Sequence, residues 1–212
     1  MRLPDPGLLV ITDRRQARLP IADIVESACA AGCRWFSVRE KDLAAEEQVA
    51  LARGLLPIVR RFGARLTLHG DAKLAETAGL DGVHLSAVDD AARARDVVGR
   101  ERLVGISVHS AQEASRLDPA LLDYAIAGPA YETDSKPGYG PALGRAGIAA
   151  IVSAARIPIL AIGGITAETT SQVLQAGAAG VAVMGALMRA EAPRAETEGL
   201  IEALAVPRRP FC

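Results

Sequence analysis

The segment from Ile159 to Gly164 reads Ile-Leu-Ala-Ile-Gly-Gly, and the segment from Gly180 to Gly185 reads Gly-Val-Ala-Val-Met-Gly. Each is a short apolar run that ends in a glycine turn and precedes a segment with helical periodicity. The same alternation recurs about every two dozen residues back to Leu8. Strands that alternate with helices indicate a parallel sheet, and eight such units can close into a barrel.

The apolar runs predict eight strands in one α/β domain. They are Leu8–Thr12, Trp35–Arg39, Arg65–His69, Gly82–Leu85, Leu103–Val108, Tyr124–Ala127, Ile159–Ile162 and Gly180–Met184. Ser110 and Thr166 each precede a helical segment with a polar residue three positions later, which predicts capping boxes. We therefore expect a (βα)8 TIM barrel over residues 1–206, followed by a C-terminal tail over residues 207–212.

Composition narrows the class of protein. The 212 residues carry a formal net charge of -1, which argues against a nucleic-acid partner or an anionic membrane surface. No apolar run approaches the roughly 20 residues of a membrane span, and the start of the chain has no leader-like pattern. These features predict a cytoplasmic protein, and its Ala-rich outer helices permit a homo-oligomer.

Strand alternation predicts which side chains face the lumen. In the second strand Phe36 should point outward. Ser37, Arg39 and Lys41 should face the inside of the barrel, each closer to the mouth than the one before. The same parity places the three histidines, which are His69, His84 and His109, on inner faces, with Ser107 below the last of them. The alternative is a lumen that only tolerates polar side chains hydrogen-bonded in layers.

The glycine turns predict an anion site. Gly163, Gly164 and Gly185 follow the last two strands, where barrels of this type often bind phosphate. Glycine lets backbone N–H groups approach an anion closely. A glycine pair alone is also compatible with an ordinary tight turn.

The long loop from Gly128 to Gly144 predicts a second anion site. It offers Thr133, Ser135 and Lys136 within four residues, across the lumen from the two cations of the second strand. So many donors suit a diphosphate better than a single phosphate. The alternative is a solvated surface loop. The length of the loop argues against that alternative, because the other loops of the barrel are shorter.

Carboxylates near the third and fourth strands are candidate ligands of a metal ion. Asp71, Asp89 and Asp90 follow these strands, and Mg²⁺ binds through one or two carboxylates together with phosphate oxygens and water. Asp71 and Asp90 are equally placed to cap the following helices. Asp89 is the predicted ligand.

At these residues the chain resembles the thiamine phosphate synthase family, which includes the TenI-like thiazole tautomerases. The resemblance runs over nearly the whole length. It is carried by Ile11–Asp13, Val38–Lys41, Gly82–Leu85, Ser107–Ser110, Gly128–Tyr131, Thr133–Lys136, Ala161–Ile165 and Gly180–Met184. It implies an enzyme, an alkyl transferase, that couples hydroxymethylpyrimidine diphosphate with thiazole phosphate to give thiamine phosphate and pyrophosphate.

The resemblance also implies roles for the residues named above. The diphosphate would be bound by Arg39, Lys41, Thr133, Ser135 and Lys136, with Mg²⁺ on Asp89. The thiazole phosphate would lie on Gly163, Gly164 and the turn at Gly185. The expected partners are therefore small phosphorylated pyrimidine and thiazole substrates.

The chain departs from the synthase pattern at three positions. Gln is expected where Ser37 stands, and Asn-Asp is expected where His69-Gly70 stands, so a second metal ligand is missing and Mg²⁺ is in question. Gly70 resembles the tautomerase branch, whose members isomerise a carboxythiazole phosphate without metal. The tautomerase histidine, however, is replaced by Pro129. His69 and His109 are candidate replacement acid–base groups.

Three functions follow as expectations. The leading one is thiamine-phosphate synthesis, the second is thiazole tautomerisation by an isomerase, and the third is a non-catalytic phosphate-ligand-binding paralogue. Pyrophosphate release from both synthase substrates distinguishes the first from the others.

Overall fold

Eight parallel strands form a closed barrel in the computed structural model, which describes residues 3–86, 90–133 and 141–205. Each strand pairs with its neighbours in chain order, and β8 pairs with β1. The strands are β1 (Leu8–Ile11), β2 (Trp35–Val38), β3 (Arg65–His69), β4 (Gly82–Leu85), β5 (Leu103–Val108), β6 (Tyr124–Ala127), β7 (Ile159–Ile162) and β8 (Gly180–Val183). The predicted (βα)8 TIM barrel is confirmed.

Helices follow the strands and cover the outside of the barrel. They are α1 (Ile21–Ala30), α2 (Ala45–Arg61), α3 (Ala72–Thr77), α4 (Ala91–Val98), α5 (Ala111–Ser115), α6 (Gly144–Ala154), α7 (Ala167–Gln175), α8 (Gly185–Met188) and α9 (Pro193–Ala205). The sequence did not predict α8, a single turn directly after β8. In the described residues no helix is long and apolar enough to cross a membrane. The predicted tail, 207–212, lies outside the described residues.

The predicted strands β1, β2 and β8 are each one residue too long, at Thr12, Arg39 and Met184. The end of β2 shows the physical reason. The backbone N–H of Arg39 donates to the side-chain Oγ1 of Thr12 at 3.0 Å, so a hydroxyl replaces the carbonyl of the sheet ladder. Between β1 and β2 the sheet therefore ends where the Thr12 side chain takes over one of its hydrogen bonds.

Two apolar clusters form the core. The larger one lies between the helices and the outer face of the barrel and contains Phe36 and Val38. The smaller one fills the lumen and contains Trp35 and Tyr124, whose rings meet edge to face with centroids 4.7 Å apart. The predicted outward orientation of Phe36 is confirmed. Ser37, on the same side of β2 as Trp35, is buried inside the barrel, with 1% of its surface exposed.

Glycines allow the last strand to close on the first. A Cβ added to Gly180 would lie 2.1 Å from the carbonyl oxygen of Gly7, and one added to Gly7 would lie 2.9 Å from the carbonyl oxygen of Ala179. The backbone N–H of Val181 donates to that same Gly7 oxygen at 2.8 Å. Side chains at either glycine would therefore force apart the seam that closes the barrel.

Candidate functional site

A cavity of about 650 Å³ opens at the carboxyl ends of the strands. Its walls come from the residues at or just after the strand ends, from Ile11 on the first strand to Arg189 beyond the last. Nine of the predicted site residues line it: Arg39, Lys41, His69, Ser107, His109, Thr133, Gly163, Gly164 and Gly185. The predicted anion sites at the glycine turns and at the two cations that follow β2, Arg39 and Lys41, therefore open into one cavity.

One predicted site residue within the described part of the chain is not among those walls. Ser37 lies inside the barrel below the cavity, because the chain rises two residues from Ser37 to Arg39 before it reaches the mouth. Asp89, Ser135 and Lys136 lie outside the described residues. The binding and catalytic roles assigned to all of these residues stay predictions.

The end of β2 is held by the loop that follows β1. The buried carboxylate of Glu40 accepts the backbone N–H of Arg14 with both oxygens, at 3.1 and 3.0 Å. Burial raises the pKa of Glu40 above its ordinary value. These contacts, with the bond from Arg39 to Thr12, fix the backbone on both sides of the Arg39 side chain. Its guanidinium Nη1 lies 3.9 Å from Sδ of Met184, so Arg39 reaches across β1 towards β8.

Histidines form the floor of the cavity. His84 Nε2 lies 3.0 Å from Oγ of Ser107. Burial, together with the positive charge of Lys41, lowers the pKa of His84 to about 3, so its imidazole is neutral at physiological pH. The His69 ring lies 4.8 Å from the His84 ring, centroid to centroid. A neutral His84 can orient the Ser107 hydroxyl but cannot serve as a cation for phosphate.

His109 is held on the β5–β6 side of the cavity. Its Nδ1 lies 2.7 Å from the carbonyl oxygen of Gly128, and its backbone N–H donates to Oε2 of Glu113 at 2.7 Å. A neutral His109 therefore carries its proton on Nδ1 and its lone pair on Nε2. Ser110 caps α5 as predicted, accepting from the N–H of Glu113 at 3.1 Å. The Glu113 carboxylate, however, binds His109 rather than closing a capping box with Ser110.

The turn after β7 packs against the loop after β6 through glycine. Gly164 has φ +61°, and a Cβ there would lie 2.6 Å from both the carbonyl oxygen of Glu132 and Cβ of Tyr131. The Tyr131 N–H donates to the carbonyl oxygen of Gly163 at 3.0 Å. The two predicted anion-binding loops are therefore one packed unit. The predicted capping box at Thr166 is confirmed, with Thr169 as its partner.

The described residues do not fit a Mg²⁺ ion held by two carboxylates. Asp71 caps α3, accepting from the N–H of Lys73 at 2.7 Å, and Asp90 caps α4. Gly70 has no side chain to offer. Within residues 3–86, 90–133 and 141–205, no group of three or more His, Cys, Asp or Glu side chains could hold a metal ion. Of the predicted carboxylates, only Asp89, outside those ranges, stays a candidate ligand.

Several wall residues were not predicted as site residues. Among them are Ile11, Ser86, Glu132, Thr166, Met184 and Arg189. Met184 had been assigned to the end of β8, but the position of Arg189 depends on the unpredicted α8. The sequence signal that could have identified it is a cation four residues past a glycine turn.

Comparisons with known proteins place the chain in a family. A sequence model described as thiamine monophosphate synthase matches residues 8–187. The thiamine-phosphate synthase of Roseiflexus sp. (strain RS-1) is 38% identical over 193 residues, covering 90% of this chain and 82% of that protein. The thiamine-phosphate synthase of Geobacillus thermodenitrificans (strain NG80-2) is 37% identical over 199 residues, covering 92% and 90%.

A solved structure agrees with these relatives. The thiamine phosphate pyrophosphorylase from Pyrococcus furiosus superimposes with a TM-score of 0.83 and 31% sequence identity, covering 93% of this chain and 95% of that one. The family resemblance expected from the motifs is thereby confirmed: this chain belongs to the thiamine monophosphate synthase family.

Proposed function

We propose that this protein is a thiamine-phosphate synthase, which couples hydroxymethylpyrimidine diphosphate with thiazole phosphate and releases pyrophosphate. One observation carries the proposal beyond family membership. A single cavity brings the glycine turns after β7 and β8 together with the cations Arg39 and Lys41 and the hydroxyl of Thr133. Two phosphorylated substrates that must react with each other need two anion sites in one enclosure.

Arg39 and Lys41 would act on the leaving group. When the bond between the pyrimidine methylene and the diphosphate breaks, negative charge develops on the departing oxygens. Cations fixed beside those oxygens stabilise that charge in the transition state. The contacts of Thr12 and Glu40 hold the backbone on both sides of Arg39, which supports a cation that is in position before the substrate arrives. Ser135 and Lys136 are proposed to complete the diphosphate site.

The electron-poor carbon left behind must meet the thiazole ring rather than water. Ile11, Ile126 and Ile162 line the cavity and offer no hydrogen bonds to water. The neutral His84 and its partner Ser107 supply a polar floor that carries no net charge. Such a pocket favours capture of the carbon by the bound thiazole over hydrolysis.

Mg²⁺ stays part of the proposal through Asp89 alone. An ion bound by Asp89 and by diphosphate oxygens would neutralise charge on the leaving group. The measurement is the rate of turnover after chelation and after addition of Mg²⁺. The cytoplasmic location and the homo-oligomer expected from the sequence likewise stay predictions.

The test of the proposal is a coupling assay on the purified chain. It is incubated with both substrates and Mg²⁺, and pyrophosphate and thiamine phosphate are measured together. Equal amounts of the two products are expected. Pyrophosphate without thiamine phosphate would mean hydrolysis. Absence of both products would refute the synthase and leave the tautomerase and the non-catalytic paralogue. Metal-free turnover of the carboxythiazole tautomer without coupling would identify a tautomerase instead, which the names of the relatives do not favour.

A further inference from the structure

Arg189 lies at the edge of the site and none of the predicted roles includes it. It directly follows α8, and its backbone N–H donates to the carbonyl oxygen of Gly185 at 3.0 Å. Its side chain lines the main cavity and also a neighbouring groove, which it shares with Arg39 and Lys41. Arg189 therefore lies one helical turn from the predicted phosphate-binding glycine, Gly185, and beside the two cations that follow β2.

The guanidinium of Arg189 is held by the loop that follows β1. Its Nη1 donates to Oε1 of Gln16, and Nε2 of Gln16 donates to Oδ2 of Asp13 at 2.6 Å. The other oxygen of Asp13 accepts the backbone N–H of Arg15 at 3.2 Å. Because the carboxylate accepts only, the Gln16 amide must turn its NH₂ towards Asp13 and its oxygen towards Arg189.

A phosphate bound at the glycine turns would need a nearby positive charge, which Arg189 can supply. The walls contributed by the turns after β7 and β8 are apolar or neutral, with Arg189 as their one cation in the described part of the chain. A phosphate monoester is close to a dianion at neutral pH, and backbone N–H groups supply no net charge to it. Arginine offers a planar donor pair that matches phosphate oxygens.

We propose that Arg189 binds the phosphate group of thiazole phosphate, with Gln16 and Asp13 as its positioning residues. The assignment rests on the proposed function, because it identifies the phosphorylated substrate at the glycine turns as the thiazole. It adds a side-chain contact to a site otherwise built from backbone. Loss of the guanidinium should weaken phosphate binding while leaving the reacting atoms untouched.

The test is direct binding, measured by calorimetry without turnover. Arg189→Gln should raise the Kd of thiazole phosphate about tenfold, the size expected for one charge-assisted contact. It should leave the Kd of the unphosphorylated thiazole alcohol unchanged. Gln16→Ala should produce a smaller rise, and Arg189→Lys an intermediate one. The matched control is Arg18→Gln, which removes an exposed arginine paired with Glu191 and outside the cavity walls.

In the coupling assay Arg189→Gln and Gln16→Ala should raise the KM for thiazole phosphate and leave kcat within about twofold. An unchanged Kd in Arg189→Gln, or equal weakening of the phosphate and the alcohol, would overturn the assignment. A wild-type protein that binds thiazole phosphate through Arg189 but couples nothing would refute the proposed function and keep the assignment. If the wild-type protein couples the two substrates but Arg189→Gln binds thiazole phosphate normally, the assignment of Arg189 is refuted and the proposed function is kept.

Discussion

Replacement of Gly164 by alanine tests the packed unit formed by the loops after β6 and β7. Two costs are expected. The backbone of Gly164, at φ +61°, is unfavourable for any residue with a Cβ, and that Cβ would lie 2.6 Å from the Glu132 oxygen and from Cβ of Tyr131. Gly63 is a matched control, since it has φ +63° and open space around the added Cβ.

The control separates the two costs. Gly63→Ala should lower the free energy of unfolding by about 1 kcal/mol, because left-handed strain outweighs the entropy lost from the unfolded chain. Gly164→Ala should lower it by about 2–4 kcal/mol, because overpacking adds roughly 1–3 kcal/mol to the same strain. The neighbouring backbone cannot retreat easily, since the Tyr131 N–H is bonded to Gly163.

Chemical denaturation gives both free energies, and the coupling assay gives the functional consequence. Gly164→Ala should raise the KM for thiazole phosphate, whereas Gly63→Ala should not change it. If the two variants lose the same stability, the close approach of the two loops is not real. If stability falls but the KM stays constant, the turn does not bind phosphate.

Three further changes test other parts of the site. The unfolding free energy should fall as the pH drops from about 6.5 towards 3. The reason is that the unfolded chain protonates His84 while the folded barrel keeps it neutral. In denaturation curves His84→Gln should reduce this slope, and an unchanged slope would contradict the buried neutral histidine. Arg39→Gln should lower kcat/KM for coupling by about a hundredfold with little loss of stability, and normal turnover would remove Arg39 from the leaving-group site. Chelation should stop pyrophosphate release and added Mg²⁺ should restore it, while turnover that persists in chelator would exclude a metal requirement.

The barrel was predictable because its determinants are local and repeat. Alternation along β2 separated Phe36 from Ser37 and Arg39, and each short apolar run was followed by a helical period. The same parity brought His69 and His109 to the cavity. The errors in the strands lay at their ends, such as Thr12, whose side chain replaces the sheet's own acceptor. That substitution depends on a neighbouring strand and has no signature in the local sequence.

The remainder of the site needed tertiary contacts. Asp71 had two compatible roles, and only its bond to the N–H of Lys73 selects the helix cap. Glu113 had the spacing of a capping box, yet its carboxylate binds the preceding His109. Arg189 is placed by Gln16, which is 173 residues away along the chain. No periodicity or spacing rule connects residues so far apart.

The seam between β1 and β8 has a consequence for how the chain folds during its synthesis on the ribosome. The glycine contact that joins Gly7 to Gly180 cannot form until the ribosome has synthesised the chain through β8. Until then the nascent sheet has two edge strands with unpaired backbone N–H and C=O groups, which can pair with other chains. Ribosome-bound fragments that stop before Gly180 should therefore recruit chaperones or aggregate, whereas fragments that also contain β8 should be able to close the barrel.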